Sequence, residues 1–179
     1  RLICGDVGFG KTEVALRAAF ITAMNGGQVA VVVPTTLLAR QHFKTFSERL
    51  RGFPIKVRQA SRLVAAKELN ETKKALTDGK VDVVVGTHAL LGTGINFSNL
   101  GLLIVDEAHA TGVWGSGGRG LAATLEGRPN IITLHTCGKA LGCEGALLCG
   151  PAIVRDFIVN RGRPFIFSTA PSPLMAWLV

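Results

Sequence analysis

At 179 residues the chain is long enough for one ordinary domain with a real core and too short for two full ones. Its 47% hydrophobic content is interrupted by 22 glycines, and no apolar run approaches the roughly 20 residues of a membrane helix, so no membrane partner is expected. The net charge of +8 is uneven: residues 1–105 carry 14 Lys+Arg against 7 Asp+Glu and residues 106–179 carry 6 against 5, so any attraction to a polyanion belongs to the first part.

Taken in chain order, "RLICG" predicts a short strand entering a glycine loop, and "KTEVALRAAFITAM" a helix with apolar residues at helical spacing. "QVAVVVP" is a continuous β-branched run of the kind buried on both faces in a parallel sheet. "TLLARQHFKTFSERL" (helix), "IKVRQA" (strand), "AAKELNETKKALTDG" (helix), "VDVVVG" (strand) and "LGLLIVD" (strand) continue the alternation, with Gly79 where a helix C-cap belongs. This rhythm predicts parallel strands with right-handed crossovers.

After Val105 the texture changes. "ATGVWGSGGRG" has five glycines in eleven residues; "NIITLHT" and "GALLCG" predict strands, "PAIVRDFIVN" a helix with Pro in its first turn, and "PFIFST" a last strand. No low-complexity linker marks the change. The absence of an initiator Met and of a leader at Arg1 predicts an internal piece of something larger. Cys4, Cys137, Cys143 and Cys149 show no C-x-x-C pair and no histidines at zinc spacing, which predicts reduced, buried thiols in a cytoplasmic protein rather than disulfides or metal thiolates.

The chemistry-bearing segment of the first part is "GDVGFGKT", which fits G-x-x-x-x-G-K-[ST] between a strand and a helix. Gly5, Gly8 and Gly10 let backbone N–H groups curl around phosphate oxygens, Lys11 neutralises the β- and γ-phosphates, Thr12 offers a hydroxyl to magnesium, and the helix N-terminus adds its partial positive charge. Asp106 and Glu107 close the apolar run "LLIV": a strand-end carboxylate binds Mg, directly or through water, while its neighbour orients the attacking water. The dense basic run Arg40, Lys44, Arg49, Arg51, Lys56, Arg58 and Arg62 is equally consistent with phosphate contacts to nucleic acid and with a solvated helix face and loop.

In order and spacing, "RLICGDVGFGKTEVALRAAF", "VAVVVPTTLLARQHFKTF", "VDVVVGTHALL" and "LGLLIVDE" resemble the first motor lobe of superfamily 2 DNA translocases of the transcription-repair coupling factor and RecG type, over residues 1–108. The resemblance implies an α/β fold, a RecA-like P-loop parallel sheet with helices on both faces, binding ATP and Mg. It implies Glu107 as a catalytic residue, Thr12 and Asp106 on the metal, and DNA-backbone contacts from Thr35, Thr36, Arg40, Gln41, Thr87 and His88. Independently, "PTTLL" reads as a helix start with Thr35 or Thr36 as N-cap.

A second resemblance begins where the first ends. "DEAHATGVWGSGGRGLAA", "NIITLHTCGKALGCEGALLCG" and "NRGRPFIFSTAPSP", within residues 104–179, resemble 8-amino-7-oxononanoate synthases, pyridoxal-phosphate acyltransferases of fold type I. This implies that residues 109–179 are a partial large-domain segment in which Lys139 carries pyridoxal phosphate, Asp106 pairs with the ring nitrogen, His109 approaches the ring hydroxyl and Thr136 meets the phosphate, with Thr169 reaching a partner subunit. The chain therefore reads as a chimera. On these resemblances, the second motor lobe and the upstream part of the synthase are expected to be missing, translocation to be absent, and the magnesium and pyridoxal sites to exclude each other at Asp106. Local rules that agree within each half and conflict between them predict a poorly specified core around residues 106–135.

Overall fold

A computed structural model describes residues 11–161 and 172–178. The strands expected at "RLICG" and "PFIFST", together with Gly5, Gly8, Gly10 and Thr169, lie outside the described residues. The chain divides into two compact units: Leu16–Ile104, and a second made of the start of the first helix with the residues from Val105 onward. No helix among the described residues is long and apolar enough to cross a membrane.

In the first unit, α1 (Lys11–Met24) leads to β1 (Gln28–Val32), α2 (Thr36–Arg49), β2 (Val57–Ala60), α3 (Ala66–Thr77), β3 (Val83–Gly86) and β4 (Leu100–Asp106). The strand order is β2-β3-β1-β4, and β3 pairs in parallel with both neighbours, Val84 facing Ala30 on one side and Arg58 on the other. Every residue of β1 and of β3 is buried, which explains why these strands read as unbroken apolar runs rather than alternating ones. α2 buries Ala39 and Phe46 and α3 buries Thr72 and Leu76, the inward stripes of helices packed on a sheet. Phe20 of α1 meets Phe53 edge-on at 4.9 Å.

The helix end expected near Gly79 is a Schellman motif. Asp78 is the C-cap, the Gly79 N–H donates to Leu76 O at 3.2 Å, and the Lys80 N–H donates to Ala75 O at 2.8 Å. The motif needs a left-handed residue after the cap, and Gly79 takes φ +69°, which costs a residue without Cβ little.

Gln28, at the start of β1, is buried and joins three elements. Its Nε2 donates to Leu76 O (2.9 Å) and Val81 O (2.8 Å), while Oε1 accepts from the Asn99 N–H (3.0 Å). A polar side chain in this position stabilises the unit because it satisfies Val81 O and the Asn99 N–H and adds a further donor to Leu76 O.

The second unit contains the tip of β4, then β5 (Ile131–Thr136), β6 (Ala146–Cys149), α4 (Ala152–Arg161) and α5 (Pro173–Leu178). β5 and β6 run antiparallel, with Thr133 opposite Cys149 and His135 opposite Leu147, so the sheet elements as a whole are mixed. The glycine-rich run forms turns in which Gly112, Gly115, Gly117, Gly118 and Gly120 all have positive φ, a backbone path closed to most other residues. From residue 107 to 130 the only buried side chains other than alanine belong to Glu107, while Val113, Trp114 and Leu121 are exposed. Large buried side chains resume at Ile131 and Ile132.

Replacing Gln28 by Ala removes a partner from Val81 O and from the Asn99 N–H, while Leu76 O keeps the N–H groups of Gly79 and Ser98. The expected loss is about 2 kcal/mol of unfolding free energy, read as a lower urea midpoint at unchanged slope.

Candidate functional site

The side chains singled out in the sequence fall into two groups, one in each unit. In the first unit, β1 and β3 are parallel neighbours, so the segments that leave their carboxyl ends emerge side by side: Val32 is in register with Gly86, and the Val33 N–H donates to Gly86 O at 2.9 Å. Thr35 and Thr36 follow β1, and Thr87 and His88 follow β3, all half-buried, with Arg40 and Gln41 exposed on α2. Thr35 is the N-cap of α2, its hydroxyl accepting from the Leu38 N–H at 3.2 Å. Arg51, Lys56, Arg58 and Arg62 are exposed as well. Carboxyl ends of parallel strands are the usual place for ligands in such sheets.

The second group sits at the tip of β4. Asp106 is half-buried and its Oδ1 accepts from the Ala108 N–H at 2.9 Å, so the carboxylate is fixed at the strand end. Glu107 has a different fate. It is fully buried, and Oε1 accepts from the Ala122 N–H at 2.5 Å. A Cβ on Gly120, whose φ is +99°, would lie 2.9 Å from the Glu107 carboxyl carbon, so the loop can close over this carboxylate only with glycine there. The carboxylate that sequence reasoning assigned to orienting water is thus enclosed by backbone supplied by the glycine-rich run. Lys11 and Thr12 open α1, with Thr12 half-buried.

His109 and Lys139 are both exposed and meet: Lys139 Nζ lies 2.8 Å from His109 Nε2, the ammonium donating to the ring nitrogen. Thr136 is half-buried at the end of β5.

A third constellation was not expected from sequence. His135 is only 6% exposed, and its Nε2 lies 3.2 Å from Glu126 Oε1 and 3.0 Å from Thr133 Oγ1. Cys149, opposite Thr133 on β6, completes the cluster, with one ligand atom each from Glu126, His135 and Cys149 within 4.8 Å of one another. Hydrogen bonding to the Cys149 sulfur raises the His135 pKa above its ordinary value against the opposing effect of burial, and Glu126 adds to the rise. The same bond lowers the Cys149 pKa. The expectation of buried thiols holds for Cys137, is corrected for Cys143 and Cys149, which are half-buried, and for Cys4 falls outside the described residues. Register is the reason: pairing β6 with β5 places Cys149 beside a histidine that lies 14 residues away in sequence, a spacing no local motif records.

Comparison with known proteins gives both halves of the chain a relation. Residues 1–133 match the DEAD/DEAH box helicase family, and the chain belongs to that family. Residues 95–178 match the aminotransferase class I and II family, so residues 95–133 are shared by the two matches and the chain is a chimera of the two patterns. The chain is similar to the transcription-repair-coupling factor of Staphylococcus epidermidis, 58% identical over 113 residues, which cover 63% of this chain and 10% of that protein. To the same factor of Haemophilus influenzae it is 50% identical over 134 residues, 75% of this chain and 11% of the relative. Among solved structures it is similar to RecG bound to a three-way DNA junction, with a TM-score of 0.57 and 40% identity, covering 67% of this chain and 16% of that one. The chain thus spans about a tenth of the length of these curated relatives.

In metal-free protein, the hydrogen bond with His135 lowers the Cys149 pKa and so enlarges the reactive thiolate fraction at a given pH. Iodoacetamide should modify Cys149 faster than Cys143 at about pH 7, and His135→Gln should remove the advantage, as followed by peptide mass spectrometry.

Proposed function

We propose that these residues form a nucleotide-binding motor lobe of the DNA helicase and translocase type, taking ATP with Mg. The observation that carries this reading is the strand-end carboxylate: Asp106 closes a buried apolar strand, downstream of the phosphate-loop sequence Gly5–Thr12, in a chain whose first 133 residues belong to the helicase family. The donor set fits the ion, since a carboxylate and the Thr12 hydroxyl are the hard oxygen ligands that Mg prefers, with nucleotide phosphates and water completing its shell. Gly5, Gly8, Gly10 and Lys11 would hold the phosphates, and Mg would neutralise part of their charge.

Binding rather than turnover is the activity assigned to these residues. Glu107, the candidate for orienting water, is enclosed and bonded to the Ala122 N–H, which places its carboxylate away from solvent. Translocation is not assigned to this stretch alone, whose match covers only 10% of the coupling factor it resembles. Thr35, Thr36, Arg40, Gln41, Thr87 and His88 are proposed to contact the DNA backbone; their gathering at the carboxyl ends of β1 and β3, and the solved RecG relative bound to a DNA junction, support that reading.

A second reading has one specific observation in its favour. The 2.8 Å approach of Lys139 to His109 unites two residues, 30 apart in sequence, that the synthase resemblance assigns to a single cofactor. In that reading Lys139 carries pyridoxal phosphate, which supplies an electron sink when bound, and Asp106 and Thr136 hold its ring nitrogen and phosphate. Asp106 is common to both readings, so the two ligands compete.

Titration with a fluorescent ATP analogue tests the first reading. Binding should require Mg and weaken roughly 10- to 100-fold in Lys11→Ala, the loss of one charge-assisted contact; a folded chain without Mg-dependent binding contradicts it. For the second reading, added pyridoxal phosphate should give a visible absorbance band that Lys139→Ala abolishes, and a colourless wild-type sample rejects it.

A further inference from the structure

The Glu126, His135 and Cys149 cluster is outside both of the sites described above and does not depend on either. Its hydrogen bonds determine which nitrogen of His135 is available. Thr111 Oγ1 has one proton and two neighbours, Glu107 O at 2.9 Å and His135 Nδ1 at 2.8 Å. A carbonyl can only accept, so the hydroxyl proton goes to Glu107 O and the hydroxyl oxygen must accept from Nδ1–H. In the neutral ring the lone pair is then on Nε2, which faces the Thr133 hydroxyl at 3.0 Å, a group able to donate to it, the Glu126 carboxylate at 3.2 Å and the sulfur of Cys149. Lone pairs converge there on a spot where the His135 side chain is 8% exposed and that of Glu126 24%. A divalent cation there would be reached by all three donors at once.

We propose that Glu126 Oε1, His135 Nε2 and Cys149 Sγ form a binding site for a single divalent cation of the zinc class. Thiolate, imidazole and carboxylate together select a borderline metal over calcium or magnesium, which take oxygen ligands. Bonds of about 2.0–2.3 Å in a tetrahedral shell place neighbouring ligand atoms roughly 3.3–3.7 Å apart. The Nε2–Oε1 separation of 3.2 Å already matches, and a mutual spread of at most 4.8 Å leaves Cys149 about an ångström or less to close. The Nδ1–H bond to Thr111 is the outer contact that orients a metal-binding imidazole. Thr133 Oγ1, 3.0 Å from Nε2 and 3.4 Å from Glu126 Oε1, borders the fourth position.

The role that follows is structural. Residues 107–130 bury almost no large side chain, and Glu126 ends this stretch. A cation joining Glu126 to the β5-β6 hairpin ties that loop to the firm part of its unit, where packing contributes little.

Cobalt titration of the whole chain, freed of metal under reducing conditions, tests the site. One equivalent of Co²⁺ should give a thiolate-to-cobalt charge-transfer band with intense four-coordinate visible bands, both removed by added Zn²⁺. Cys149→Ser should abolish the charge-transfer band, and Cys143→Ser should preserve it. Glu126→Gln, which keeps the side-chain shape, should retain the band with affinity weaker by roughly tenfold or more. Zn²⁺ should also protect Cys149 of the unmutated protein from alkylation, a readout independent of how any variant folds. The absence of a charge-transfer band in the unmutated chain, its persistence in Cys149→Ser, or alkylation of Cys149 unchanged by Zn²⁺ overturns the proposal.

Discussion

Glu107 is the residue on which the second unit depends. Its N–H donates to Leu134 O and fixes the tip of β4 to β5; its carbonyl accepts from the N–H groups of Ala110 and Thr111 and from the Thr111 hydroxyl; its carboxylate accepts from Ala122. Successive side chains at the end of an extended strand point to opposite sides, so enclosing Glu107 leaves Asp106 directed outward at the strand end. The Glu107 backbone carbonyl, independently of the side chain, orients the Thr111 hydroxyl that faces His135 Nδ1. Removing a carboxyl group so placed costs more than its own bonds, because the loop from residue 108 to 122 closes over it.

This arrangement also explains how two family patterns coexist in one chain. Both place an aspartate at the end of a buried strand, so "LLIVD" satisfies either. They differ in the use made of the next residue. In a nucleotide-hydrolysing reading Glu107 serves water, and in this structure the glycine-rich segment of the other pattern covers it, with Gly120 against the carboxylate.

Much of the fold was legible in the sequence, for stated reasons. Helix α1 reads directly from its spacing, β1, β3 and β4 from their β-branched runs, the end of α3 from Gly79, and the start of α2 from Thr35, because each of these signals is local. The Asp106 strand end was legible for the same reason. What escaped depends on contacts between distant segments. Gln28 looks like an ordinary strand start, and only α3 and β4 reveal it as a buried bridge across intervals of 48 and 71 residues. The His135 cluster was half visible, as polar Thr133 and His135 alternating in an otherwise apolar strand. The nine residues between β5 and β6 fix no register, however, so the partnership with Cys149 could not be read.

The central claim is that Asp106 holds a magnesium nucleotide at the tip of β4 while Glu107 stays enclosed behind it. Amide hydrogen exchange with and without Mg-ATP addresses it residue by residue. Slowed exchange at residues 5–12 and around Asp106, with the Ala122 amide slow in both states, is the result this account predicts. Protection confined to residues 136–142, or an Ala122 amide that becomes fast when nucleotide binds, would contradict it.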